Sequence, residues 1–160
     1  MKILPIQKQY LQGTIKAWNQ VVEDGEAFPQ DKPLTPGEAE QFFAQQSFTG
    51  VAVDDDNRVL GVYILHPNNV GRCGHICNAS YAVAKTARHQ GVGRAMVTHC
   101  MQQAKQLGFD ILQFNAVVAD NTPALNLYRQ LGFVQLGVIP GGFLAKDGSY
   151  KDIIPHYHLL

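Results

Sequence analysis

Apolar residues along this chain recur at helical spacing in some stretches and gather in short β-rich runs in others, and the switches between the two mark out the elements. Lys2 to Ile6 reads as a short strand. From Gln7 to Glu23, Leu11, Ile15, Trp18 and Val22 return at helical spacing, the signature of an amphipathic helix. Asp24 to Leu34 reads as a loop. Thr35-Pro36-Gly37-Glu38 then combines an N-cap, a proline in the first turn and a capping-box glutamate, which predicts a helix through about Gln46.

Phe48 to Val53 and Val59 to Leu65 are β-rich runs separated by Asp54-Asp55-Asp56-Asn57, so they read as two antiparallel strands joined by an acidic turn. His66 to Gly74 reads as a loop and His75 to Val83 as a third strand. Val92, Met96, Cys100, Ala104 and Leu107 keep one helical face apolar from near Gly91 until Gly108 ends it. Ile111 to Val117 is a strand, and Thr122-Pro123 opens a short helix closed by Gly132. Phe133 to Val138 and Tyr150 to Leu160 supply the last two strands. This order predicts one α/β domain (α+β in detail) spanning residues 1–160, with a mixed, mostly antiparallel central sheet and helices on both faces.

Composition narrows the function classes. Hydrophobic residues make up 46% of 160 and charged residues 16%, so the chain has enough apolar content for a core without disulfides or metal. Lys plus Arg equals Asp plus Glu at 13 each with no basic block, which argues against nucleic acid as a partner. No stretch approaches a membrane span and the N-terminus lacks a signal-like apolar run, so the expectation is a soluble, cytoplasmic protein without a membrane partner. Three cysteines, Cys73, Cys77 and Cys100, show no disulfide spacing, which fits a reducing compartment.

The most informative segment is Tyr81-Ala82-Val83-Ala84-Lys85-Thr86-Ala87-Arg88-His89-Gln90-Gly91-Val92-Gly93-Arg94, a glycine-bearing turn between a strand and an amphipathic helix. A helix N-terminus leaves backbone N–H groups unpaired and carries partial positive charge, which suits a diphosphate. Gly91 and Gly93 let phosphates approach the backbone, and Arg88 and Arg94 add charge. The glycine pair by itself serves a plain strand-to-helix turn equally well. The pattern lacks the nucleoside-triphosphate loop's lysine and the three-glycine dinucleotide fingerprint.

Arg88-x-x-Gly91-x-Gly93 resembles the acetyl-CoA signature [QR]-x-x-G-x-[GA] of the GNAT N-acetyltransferase superfamily. Asn121-Thr122-Pro123-Ala124-Leu125-Asn126-Leu127-Tyr128-Arg129-Gln130-Leu131-Gly132-Phe133 resembles its N-x-x-A-x-x-x-Y-x-x-x-G-F element, in the same order along the chain. The resemblance implies an enzyme using acetyl-CoA as acetyl donor, with the amides of His89, Gln90, Gly91, Val92, Gly93 and Arg94 holding the pyrophosphate beside Arg88. It implies that the backbone of Tyr81, Ala82 and Val83 pairs with the pantetheine arm, the amide near Val83 facing the thioester oxygen. Asn121 is then a cofactor contact, and Tyr128 both contacts the cofactor and is the catalytic acid that protonates the leaving sulfur.

The chemistry needs a neutral amine, and the strand Ile76 to Tyr81 offers no carboxylate as base; a water relay, His75 or His156 remain the alternatives. Asn78 and Asn115 each sit in a central strand, where asparagine is disfavoured, so they are candidate substrate-binding residues for a carboxylate or carbonyl. The stretches Leu65-His66-Pro67-Asn68 and Arg72-Cys73-Gly74-His75-Ile76-Cys77-Asn78-Ala79 resemble fungal GNAT enzymes that acetylate proline analogues such as azetidine-2-carboxylate. The expected acceptor is therefore a small-molecule amine, attacked directly without a covalent enzyme intermediate. A CoA-binding module without turnover and a peptide or protein N-acetyltransferase are the alternatives, and a homodimer is left open. Cys73-x-His75-x-Cys77 lacks the second ligand pair of a zinc site, so no metal is expected.

Overall fold

A computed structural model describes residues 1–160. Strand β1 (Lys2–Pro5) leads through a short 3-10 turn into helix α1 (Leu11–Asp24), followed by α2 (Pro36–Ala44), β2 (Phe48–Val53), β3 (Val59–Pro67) and β4 (Ile76–Val83). Helix α3 (Val92–Gln106), β5 (Ile111–Val118), α4 (Thr122–Gln130), β6 (Val134–Gln135), β7 (Ile139–Leu144) and β8 (Tyr150–Leu159) complete the chain. The capping box predicted at Thr35 is present, with Glu38 N–H donating to Thr35 Oγ1 and Thr35 N–H to the Glu38 carboxylate.

The strands form one eight-stranded sheet in the order β1-β2-β3-β4-β5-β8-β6, with β7 also paired to β8. Every pairing is antiparallel except β4 with β5. Alternation splits the side chains between two cores. Tyr63, Leu65, Cys77, Ala79, Leu112 and Phe114 meet α3 and α4 on one face. Val51, Val53, Val62, Ile64 and Ala82 meet α1 and α2 on the other, around the fully buried Trp18. Trp18 packs against Phe28, Phe42 and Phe43, with ring centroids 4.5, 5.2 and 5.7 Å away, which fixes the segment following α1 to the sheet.

Two elements differ from the sequence reading. The stretch expected as one strand, Phe133 to Val138, holds only Val134–Gln135, and β7 was not anticipated. Gly141 and Gly142 mask its strand character, and the strand forms because the outer edge of β8 accepts both β6 and β7 in succession. His75 lies just before β4 rather than within it.

Candidate active site

The parallel strands β4 and β5 pair only at Ile76↔Ile111 and Cys77↔Leu112, then diverge. Ala84 N–H donates to Leu60 C=O and Ile76 C=O accepts from Asn68 N–H, so the even-numbered residues of β4 turn their backbone groups toward β3. Alternation turns those of Ala79, Tyr81 and Val83 toward the gap. A cleft of about 730 Å³ opens there, with Tyr81 and Val83 in its wall and Tyr128, on α4, facing them.

At one end the cleft meets the start of α3. His89 and Gly91 both have left-handed backbones, with φ of 63° and 78°, and this double reversal brings the chain into α3 with Gly91 as N-cap. No side chain caps the helix, whereas Thr35 caps α2 and Asn121 caps α4. The first helical bond runs from Ala95 N–H to Gly91 C=O, leaving the N–H groups of Val92, Gly93 and Arg94 without intrahelical partners. Gly91 has no neighbour where a Cβ would stand, and Gly93 faces Leu127 and Val83 at 3.8 Å. An open, uncapped N-terminus flanked by glycines fits a diphosphate such as that of acetyl-CoA.

Asp24, at the end of α1, braces this turn. Its carboxylate takes Lys85 Nζ at 2.7 Å and Arg88 Nη2 at 2.9 Å, while Gln20 Oε1 accepts from Lys85 N–H. Partial burial works to raise the Asp24 pKa, but the hydrogen bonds and charges of Lys85 and Arg88 outweigh it and hold it below 3.8. The carboxylate is therefore ionised at neutral pH and keeps both cations beside the cleft.

Tyr128 packs its ring against Phe114 at 4.5 Å and Phe133 at 5.5 Å. Burial raises its pKa well above 10, so the phenol stays protonated and able to donate. The Tyr81 hydroxyl is sealed in the core without a partner, so Tyr81 offers the cleft its backbone. Neither histidine considered as base reaches the cleft wall. His75 is exposed outside it. His156 is 1% exposed on β8, where desolvation pushes its pKa below 6.5, and its Nδ1 lies 2.7 Å from Ile154 C=O. A contact with a carbonyl requires the proton on Nδ1.

Carboxylates enter instead from the segments that connect α1 to α2 and β5 to α4. Glu26 lines the cleft from the segment after α1 and makes no ion pair, while Asp120, also in the wall, is bound to Lys151 at 2.7 Å. No local motif marks Glu26, because it reaches the cleft only through the docking of α1 on the sheet.

Both strand asparagines line the cleft, and both side chains have partners. Asn78 Nδ2 donates to Gln113 C=O at 2.9 Å. Asn115 accepts from Gln113 Nε2 at 3.0 Å and donates to Asn68 Oδ1 at 2.7 Å. Asn121 spends its Oδ1 on Ala124 N–H at 3.3 Å as the α4 cap while lining the cleft.

Three of the expected residues, Ala82, Gln90 and Arg94, do not line the cleft. Ala82 is fully buried against α1, its backbone turned to β3 by strand alternation. Gln90 bonds back to Thr86 C=O and Arg94 points to Gln130, so neither side chain lines the cleft; Arg94 retains its unpaired N–H. Arg88, His89, Gly91, Val92 and Gly93 do line it. Cys77 Sγ donates to Ile111 C=O, and no three His, Cys, Asp or Glu side chains come together as a metal site.

This arrangement, two strands splayed beside an uncapped helix start, defines an acyl-CoA-dependent transferase. Residues 16–133 match the Acetyltransferase (GNAT) family, and the chain belongs to that family. It is 31% identical over 158 residues to N-acetyltransferase aca1 of Schizosaccharomyces pombe, covering 88% of this chain and 76% of that one. A GCN5-related N-acetyltransferase from Kribbella flavida superposes with a TM-score of 0.91 at 32% identity, over 99% of this chain and 97% of the other. The phosphinothricin acetyltransferase of Sinorhizobium meliloti in complex with AcCoA shares the fold, with a TM-score of 0.91 at 19% identity, over 99% and 88% of the two chains. The protein is thus an acetyltransferase with acetyl-CoA as cosubstrate.

Proposed function

We propose that this enzyme acetylates the nitrogen of a small amine, an amino acid or a proline analogue, by direct attack. The observation that carries the choice of a small acceptor is the side-chain Oδ1 of Asn78, a cleft-lining residue whose Nδ2 alone is engaged, which leaves the oxygen to accept from an amine N–H.

Acetyl-CoA supplies the activated acetyl thioester. The uncapped amides of Val92, Gly93 and Arg94 hold its diphosphate, and the free backbone of Tyr81 and Val83 orients the arm and the thioester oxygen. Glu26 takes a proton from the acceptor ammonium, directly or through water, so that the neutral amine forms the C–N bond as the C–S bond breaks. Tyr128 gives its proton to the departing thiolate, and the proton shed by the acylated nitrogen returns through water to the phenolate, leaving amide, free CoA thiol and the phenol restored. Asn115, Asn121 and the free Oδ1 of Asn78 supply polar contacts along the wall.

The test is release of free CoA thiol from acetyl-CoA in the presence of primary amines, amino acids, azetidine-2-carboxylate and short peptides. Turnover of the small acceptors and not of peptides is expected. Turnover of peptides alone would overturn the reading.

A further inference from the structure

The amide groups of residues 68, 78, 113 and 115 meet where β4 and β5 part, and one of them occupies a position that backbone would otherwise take. In a parallel ladder with partners Ile76↔Ile111 and Cys77↔Leu112, the next bond in register runs from Ala79 N–H to Gln113 C=O. That carbonyl is instead taken by Asn78 Nδ2 at 2.9 Å. The orientation of the Asn78 amide follows from its partner, since a carbonyl oxygen accepts and so must face the NH₂ end.

We propose that Asn78 is a positioning residue that ends the β4–β5 ladder, its side-chain amide replacing Ala79 N–H on Gln113 C=O and so holding open the gap that receives acetyl-CoA. Two further contacts support the same vertex. Gln113 Nε2 donates to Asn115 Oδ1, and Asn115 Nδ2 donates to Asn68 Oδ1, which links β5 to the end of β3. Asn68 is itself fixed by its N–H, which donates to Ile76 C=O at 2.8 Å. The strands are thereby braced at the point of divergence while Ala79, Tyr81 and Val83 keep their cleft-facing groups free. This accounts for an asparagine inside a central strand, where its low β-propensity would otherwise count against it.

The functional half of this inference rests on acetyl-CoA binding between β4 and β5, so structure and binding are measured separately. Asn78→Ala removes the competing donor, and Ala79 N–H then closes on Gln113 C=O. The expected result by amide hydrogen exchange is paradoxical for a deleted hydrogen bond: Ala79 exchanges at least tenfold more slowly than in the wild type. Ser80 and Ala82, whose N–H groups face β3, stay unchanged. By titration calorimetry the acetyl-CoA dissociation constant rises at least fivefold. Asn78→Ser, whose hydroxyl is too short to replace the amide, carries the same expectation if the alanine variant does not fold.

Unchanged or faster exchange at Ala79 would overturn the ladder assignment. Slowed exchange with a dissociation constant within twofold of wild type would overturn the link to acetyl-CoA. Absence of acetyl-CoA binding by the wild type would instead refute the placement of the cofactor, with the exchange result still deciding what Asn78 does.

Discussion

Replacing Gly91 and Gly93 separately by alanine divides what the turn before α3 needs for folding from what it needs for the cofactor. Gly91 has φ of +78° and nothing within 4 Å of a built Cβ, so Gly91→Ala adds backbone strain without a collision. An L-residue in the left-handed region costs roughly 1–2 kcal/mol. For a chain of this size 1 kcal/mol moves Tm by about 2–4 °C, which gives a fall of about 2–8 °C. Gly93 lies in the first turn of α3 without a positive φ, and its Cβ would meet Leu127 and Val83 at an ordinary 3.8 Å. Gly93→Ala therefore gains helix propensity of up to about 1 kcal/mol and raises Tm by a few degrees. Thermal melts with and without saturating acetyl-CoA read both effects, since a ligand stabilises in proportion to its binding of the folded state. Relaxing Gly91 tilts the amides of Val92, Gly93 and Arg94, so the stabilisation by acetyl-CoA shrinks in Gly91→Ala and persists in Gly93→Ala. Equal melting of Gly91→Ala and wild type, or equal stabilisation of both by acetyl-CoA, would refute the role assigned to that backbone reversal.

Tyr128→Phe is expected to lower kcat at least tenfold with the acetyl-CoA dissociation constant within threefold; an unchanged kcat excludes the phenol as acid. Glu26→Gln is expected to lower kcat/KM for the acceptor at least tenfold at neutral pH while leaving acetyl-CoA affinity intact, as read by paired kinetics and calorimetry. His156 is held neutral by burial, with its pKa below the 6.5 of the unfolded chain. The unfolded chain thus binds the extra proton first: stability is full above about pH 6.5 and falls as pH drops toward the folded pKa. His156→Gln should flatten that slope in denaturant melts, and an unaltered slope would assign the acid sensitivity elsewhere.

Much of this protein was settled by local sequence. The spacing of Leu11, Ile15, Trp18 and Val22, the Thr35–Glu38 capping box and the β-rich run Val59 to Leu65 fix their elements because spacing, capping and β-propensity are properties of neighbouring residues. The Arg88-x-x-Gly91-x-Gly93 turn was legible for a related reason: a left-handed N-cap without a side-chain cap is a property of a few consecutive residues. Contacts between distant segments were not legible. That Ala82 faces away from the cleft while Tyr81 and Val83 face it depends on which edge of β4 meets β3. Glu26 and Asp24 join the site only because Trp18 anchors α1 to the sheet, and β7 exists only because β8 has a free edge. The divergence of β4 and β5 turns on one side-chain amide taking a backbone acceptor 35 residues along the chain, a choice that no local pattern encodes.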